Sequence, residues 1–170
     1  MKPITIEVQK SGAIFDDEQK YRYALWRSWE LDRWTALKAI TFIGLNPSTA
    51  DAIKDDATIR SCRRLAREWG FLGLIMVNLF AYRATHPAWM KEAFDPEGEE
   101  NDDYIKQAVQ LSGLTVCCWG NHGSFMARGR KVIDMLTDGH HQVYHLGLTK
   151  SGEPRHPLYL PTKGTLPLKF

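Results

Sequence analysis

The sequence predicts a three-layer α/β domain whose central, mainly parallel four-stranded sheet is extended by N-terminal β strands. Three observations lead there. Four short runs, AITFIG (39–44), GLIMVNLF (73–80), LTVCCWG (114–120) and QVYHLG (142–147), are almost wholly apolar, as are strands covered on both faces of a parallel sheet. The stretches between them are long enough for the crossover helices that parallel pairing requires. Finally, 170 residues with 44% apolar content suffice for one core but not comfortably for two. Residues 1–170 are therefore read as one domain, with 1–37 a β-rich extension of the sheet and 148–170 a functional loop and extended tail.

The elements follow in order. Ile4, Ile6 and Val8 alternate, as do Tyr21, Tyr23 and Leu25 against Arg22, Ala24 and Trp26. This predicts strands with one buried and one wetter face, and Ser11-Gly12 suits a turn between them. In DDATIRSCRRLAREWG, the residues Ile59, Cys62, Leu65, Ala66 and Trp69 recur at helical spacing. Asp55 or Asp56 suits the N-cap and Gly70 the position after the end, while Arg60, Arg63, Arg64 and Arg67 form the opposite face. A second helix is expected at about 101–111, after the acidic stretch around Asp95, Glu97, Glu99 and Glu100. A third, at 124–137, should turn Met126, Val132, Ile133 and Leu136 inward and Arg128, Arg130 and Lys131 outward. The Pro- and Gly-rich end reads as loop and tail.

Composition narrows the function classes. No run of about 18 apolar residues exists, so a membrane-spanning helix is not expected. Glu7 and Gln9 interrupt the N-terminal apolar residues, which argues against a signal peptide. Cys62, Cys117 and Cys118 contain no CxxC pair, and an adjacent pair inside an apolar run suits a buried strand in a reducing compartment; a cytoplasmic protein is expected. The net charge is only +2, far from that of a non-specific DNA coat, so any phosphate recognition must rest on a local patch. The six His show no HExxH or Cys/His zinc spacing, and no metal or other cofactor is expected.

In doubly wound sheets, ligands gather at the carboxyl ends of the strands. Each predicted parallel strand carries polar or Gly/Pro-rich residues there. After the first comes GLNPSTAD (44–51), with Gly44, Asn46, Pro47, Ser48 and Asp51. The second holds Asn78 and is followed by Tyr82 and Arg83. The third ends in WGNHG (119–123), with Trp119, Asn121 and His122. The fourth runs to RHPL (155–158), with Arg155, His156 and Leu158. Singly, each has an ordinary structural reading: Gly44 and Pro47 shape a turn, Ser48 or Asp51 caps a helix, Asn78 satisfies backbone groups, and Trp119 fills the core. Together they fall where a single cleft would form.

The chain as a whole resembles a mostly bacterial family catalogued as domain of unknown function sixteen-forty-three, in GLNPSTAD, VNLFAYRAT, WGNHG and RHPLYLP. More distantly, the same segments, in this order, are similar to the motif series of the uracil-DNA glycosylase superfamily. That resemblance implies an N-glycosidic hydrolase acting on a base in DNA. GLNPS looks like the water-positioning loop, which places Asn46 where one branch has its water-activating Asp and another has Asn. MVNLF (76–80) resembles the base-reading strand, with Asn78 as the amide. RHPLYL (155–160) looks like the His-Pro-Ser DNA-binding loop, with His156 as its histidine. CCWGNHGSFMARGR (117–130) resembles a strand, a Trp-Gly pair and a basic helix.

The implied chemistry needs a base pocket, a donor to the leaving base and a positioned water. Asn78 offers donor and acceptor to a base edge, His156 a donor, and Asn46 a hold on water. Phe80, Tyr82 and Trp119 are candidate stacking faces, and Leu158-Tyr159 a candidate wedge beside a flipped nucleotide. Three departures weigh against duplex DNA more than against a base pocket. Asn46 cannot act as a base, Leu158 stands where a phosphate-binding Ser would be, and the acidic stretch would repel a polyanion near the cleft. Asp51, Asp55 or Asp56 could supply the missing base or merely cap the helix, and Asp51 is taken with Asn46 and His156 as the catalytic set. Two alternatives remain: an enzyme of the same fold acting on free or modified nucleotides, and a binder of nucleic acid or nucleotide without catalysis.

Overall fold

The computed structural model describes residues 1–6, 9–30 and 35–170. Seven strands, β1 (Ser11–Phe15), β2 (Arg22–Ser28), β3 (Ala39–Gly44), β4 (Gly73–Asn78), β5 (Leu114–Cys117), β6 (Tyr144–His145) and β7 (Leu168–Lys169), form one mixed sheet. Their spatial order is β1-β2-β4-β3-β5-β6-β7. Pairings β4–β3, β3–β5 and β5–β6 are parallel, while β1–β2, β2–β4 and β6–β7 are antiparallel. The sheet is thus larger than the four-stranded sheet expected from the apolar runs, and its edges are antiparallel.

Alternation along the central strands divides the core. Ile40 and Phe42 of β3, Leu74 and Met76 of β4 and Val116 of β5 meet Ile59, Cys62, Leu65 and Ala66 of helix α1 (Ala57–Glu68) on one face. Burying a side chain of this size fully contributes about 1.5–3 kcal/mol. Ile43, Ile75, Val77 and Cys117 point the other way, into a cluster with Tyr104, Ile105, Ala108, Val109, Val132 and Leu136. Helix α2 is short (Pro87–Lys91), and α3 (Asn101–Gln110) and α4 (Arg128–Asp138) supply that second face. Thr41, on the same side, donates its hydroxyl to the Ala108 carbonyl at 2.9 Å. None of the described helices is long and apolar enough to cross a membrane.

Several local expectations are corrected. Every residue of β2 is buried, because that strand lies inside the sheet with cover on both faces; it has no wet side. Ile4 and Ile6 are core residues but belong to no strand, and Val8 lies outside the described residues. Ser11 and Gly12 are strand residues of β1 rather than a turn. Residues 121–127 form a 3-10 segment with a break, so the third helix starts late, at Arg128. The break leaves Met126 46% exposed and turns Arg128 inward to 3%. Arg128 is tolerated there because its Nε donates to the Leu79 carbonyl at 2.9 Å and its charge meets Glu97 and Asp102. The acidic stretch is therefore partly neutralised from within.

Candidate functional site

The loops leaving β3, β4, β5 and β6 converge on a cleft of about 640 Å³, a volume typical of small-molecule sites. Gly44, Asn46, Ser48, Asn78, Trp119, Asn121, His122 and His156 all line it. The juxtaposition follows from topology: β3 sits centrally between β4 and β5, so neighbouring parallel strands open their carboxyl ends on the same edge.

Asn78 ends β4 beside Gly44 of β3. It is 3% exposed, and its Nδ2 has no hydrogen-bond partner, an arrangement whose cost only a ligand or water can recover. A side-chain carbon on Gly44 would fall 2.8 Å from Asn78 Oδ1, so glycine leaves room for that amide. The backbone below is fixed: Asn101, itself 1% exposed, donates to the carbonyls of Asn78 and Leu79, each at 3.0 Å.

Asn46 is oriented by two donations from its Nδ2, to Ala84 O at 2.7 Å and Pro47 O at 3.1 Å. Its Oδ1 is thereby left as an acceptor. Pro47 is buried and shapes this turn without lining the cleft.

His156 is extended, as the residue before a proline should be, and its Nδ1 accepts the Leu158 N–H at 3.2 Å. Burial lowers its pKa from 6.5, with Asp56 acting weakly the other way. The ring is neutral at pH 7 and, with Nδ1 accepting, carries its proton on Nε2. Gly120, at φ 73°, lets the chain after β5 turn close to this residue, and its N–H donates to Pro154 O at 2.8 Å. Trp119 is 2% exposed and donates Nε1–H to Glu153 Oε2 at 2.7 Å; it forms a rigid, largely apolar wall. Asn121 Oδ1 accepts from Ser151 at 2.8 Å, and His122 Nδ1 lies 3.2 Å from Lys91 Nζ.

Other sequence candidates fall elsewhere. Asp51 is exposed and outside the cleft; its Oδ1 accepts the N–H groups of Ile53 and Lys54 at 2.8 and 2.7 Å, and these bonds lower its pKa. Tyr82 and Arg83 line a neighbouring depression that shares Ser48, Thr49, Ala84 and Thr85 with the cleft. Arg83 Nη1 donates to Gln19 O at 2.8 Å, and the guanidinium lies over Phe15. Arg155 and Leu158 are exposed beside the cleft but do not line it, and Phe80 is wholly buried in the core.

Two cleft residues stand out against the sequence reading. Arg22, read as an ordinary strand residue, is 2% exposed, lines the cleft and donates Nη1–H to Ala50 O at 2.8 Å, with Nε unpartnered. Burial lowers its pKa to about 10, opposed chiefly by Asp56. Two arginines, Arg22 and Arg27, in a short strand that is otherwise mostly apolar were the available signal. Asp56 is the N-cap of α1, its Oδ1 accepting the Ile59 N–H at 2.8 Å. Sequence placed it among three equivalent aspartates; the fold separates them.

Among the described residues, no group of three or more His, Cys, Asp or Glu could hold a metal ion. The three cysteines are free and buried, and burial raises the thiols of Cys62 and Cys117 well above their usual value. No curated protein and no solved structure matches the chain. A model of the family described as protein of unknown function DUF1643 matches residues 22–158, from the first residue of β2 through the His156 loop, and the chain belongs to that family.

Proposed function

We propose that the cleft hydrolyses the N-glycosidic bond between a nucleobase and its sugar in DNA, releasing the base, as the motif order of the uracil-DNA glycosylase superfamily implies. The observation that carries the reading is the Asn78 amide. It is buried, its Nδ2 is unpartnered, and it pairs a donor with an acceptor as one base edge requires. His156, neutral and protonated on Nε2, supplies a donor to the charge that builds on the departing base. Asn46 Oδ1 orients the water. The depression holding Tyr82, Arg83 and the half-exposed Trp89 adjoins the cleft and offers a stacking face and a cation to a flanking nucleotide.

A second reading, a free or modified nucleotide as substrate, is favoured by the net charge of only +2 and by a cleft volume that suits a single nucleotide. The experiment is release of free base from uracil-, mismatch- and damage-containing oligonucleotides, run beside nucleoside monophosphates. Release from oligonucleotides supports the first reading, and release from monophosphates alone the second. No release from any of them refutes hydrolysis.

A further inference from the structure

We propose that Asp56 is the general base of this cleft, accepting the proton of the water that attacks the sugar carbon; the proposal rests on the N-glycosidic reading above. Among the described residues lining the cleft, Asp56 contributes the one carboxylate; Arg22, His122, His156 and Tyr159 are the other ionisable groups. A hydrolysis begun by Asn46 alone has nowhere to put the water's proton, because an amide has no useful proton affinity.

The neighbouring aspartates are committed elsewhere. Asp51 closes the 51–54 turn, and Asp55 bridges Arg27 and Arg63 at 2.8 and 2.6 Å. Asp56 is different. Its bond to the Ile59 N–H uses Oδ1, and among the described residues Oδ2 accepts no hydrogen bond. The cap therefore holds the carboxylate in place while one oxygen stays available. It lines the same cleft as Arg22 and His156, and its charge opposes the effect of burial on both.

The step balances. One water O–H proton passes to Asp56 as the water oxygen bonds to the anomeric carbon. The bond from that carbon to the base nitrogen breaks, and its electron pair leaves with the base, met by Asn78 Nδ2–H and His156 Nε2–H. The proton on Asp56 then goes to the departing base or to solvent, giving free base and a sugar hydroxyl.

An N-capping aspartate needs no second role, so the test must hold the cap constant. Asn and Ser cap a helix about as well as Asp, whereas Ala does not. Asp56→Asn, Asp56→Ser and Asp56→Ala are compared by single-turnover base release on whichever oligonucleotide or nucleoside monophosphate the wild type cleaves, and by thermal melting. The Asn and Ser variants keep the cap, so they are expected to melt above the Ala variant, below wild type only by what the lost countercharge to buried Arg22 costs, and to bind substrate with unchanged KM. Their rate of base release should fall about 10²–10⁴-fold, the usual contribution of a general base. If Asp56→Asn releases base at the wild-type rate, the inference is overturned while the glycosidic reading stands. If the Asn and Ser variants retain activity and only Ala loses it, together with its melting temperature, the role is capping and the inference is again overturned. A wild type that releases no base overturns both.

Discussion

Replacing Gly44 with alanine puts the base-reading geometry under a graded load. The added carbon would stand 2.8 Å from Asn78 Oδ1, whereas ordinary contact begins near 3.4 Å, so the amide must withdraw by about 0.6 Å. The strand cannot yield instead, because Asn101 ties down the carbonyls of Asn78 and Leu79. A displacement of ~1 Å costs catalysis on the order of 10²-fold, so ~0.6 Å predicts roughly a tenfold loss of kcat/KM, equivalent to about 1.4 kcal/mol. The stability cost is smaller than the clash suggests. Overpacking costs about 1–3 kcal/mol, and the lower entropy of the unfolded alanine chain offsets about 0.4–1 kcal/mol of it. A net loss near 1 kcal/mol lowers Tm by about 2–4 °C for a domain of this size. Base release and thermal melting are measured on the same preparation. A Gly44→Ala protein that melts early yet releases base at the wild-type rate would show that the Asn78 amide does not read the base.

Three further outcomes are expected. Arg128→Ala should cost about 3 kcal/mol, at the low end for breaking a buried pair, because Asp102 and Glu97 are 46% and 28% exposed and can rehydrate; chemical denaturation measures it. Since the folded pKa of His156 lies below 6.5, the unfolded chain takes up that proton first. The contribution of the neutral ring is complete above 6.5 and is lost as pH falls from there through the lower folded pKa, so wild type should lose more stability on acidification than His156→Gln; equal losses in denaturant titrations would refute this. The buried thiols of Cys62, Cys117 and Cys118 should resist a thiol reagent in the native protein and all react once it is unfolded.

The four central strands were legible because burial on both faces writes itself as an apolar run: 39–44 matches β3, and 73–80 contains β4. Helix α1 was legible from its 3.6-residue periodicity and its acidic entry. The edges were not. β7 is two exposed residues whose pairing depends on where the tail is brought, and no local pattern encodes that. The inward turn of Arg128 depends on a left-handed break at Met126 and Ala127, which shifts the helical phase that a continuous helix would have. At the site, sequence identified the loops but not the order of importance within them. Gly44, Asn46, Asn78, Trp119 and His156 meet because of strand order, while Asp51 and Asp56 look alike until the turn and the helix each claim one.

Arg27 of β2 also bears on how the cleft meets its ligand. Its guanidinium donates to the carbonyls of Trp26, Asp51, Ala52 and Lys54 and to the Asp55 carboxylate, and Arg22 adds the Ala50 carbonyl. Residues 50–55 are thus riveted to an interior strand by two cations before any ligand arrives. The entry to α1 behaves as a fixed anvil. Ordering entropy on association falls instead on exposed side chains such as that of Tyr159, which lines the cleft and loses rotamer freedom when it settles against an incoming ring.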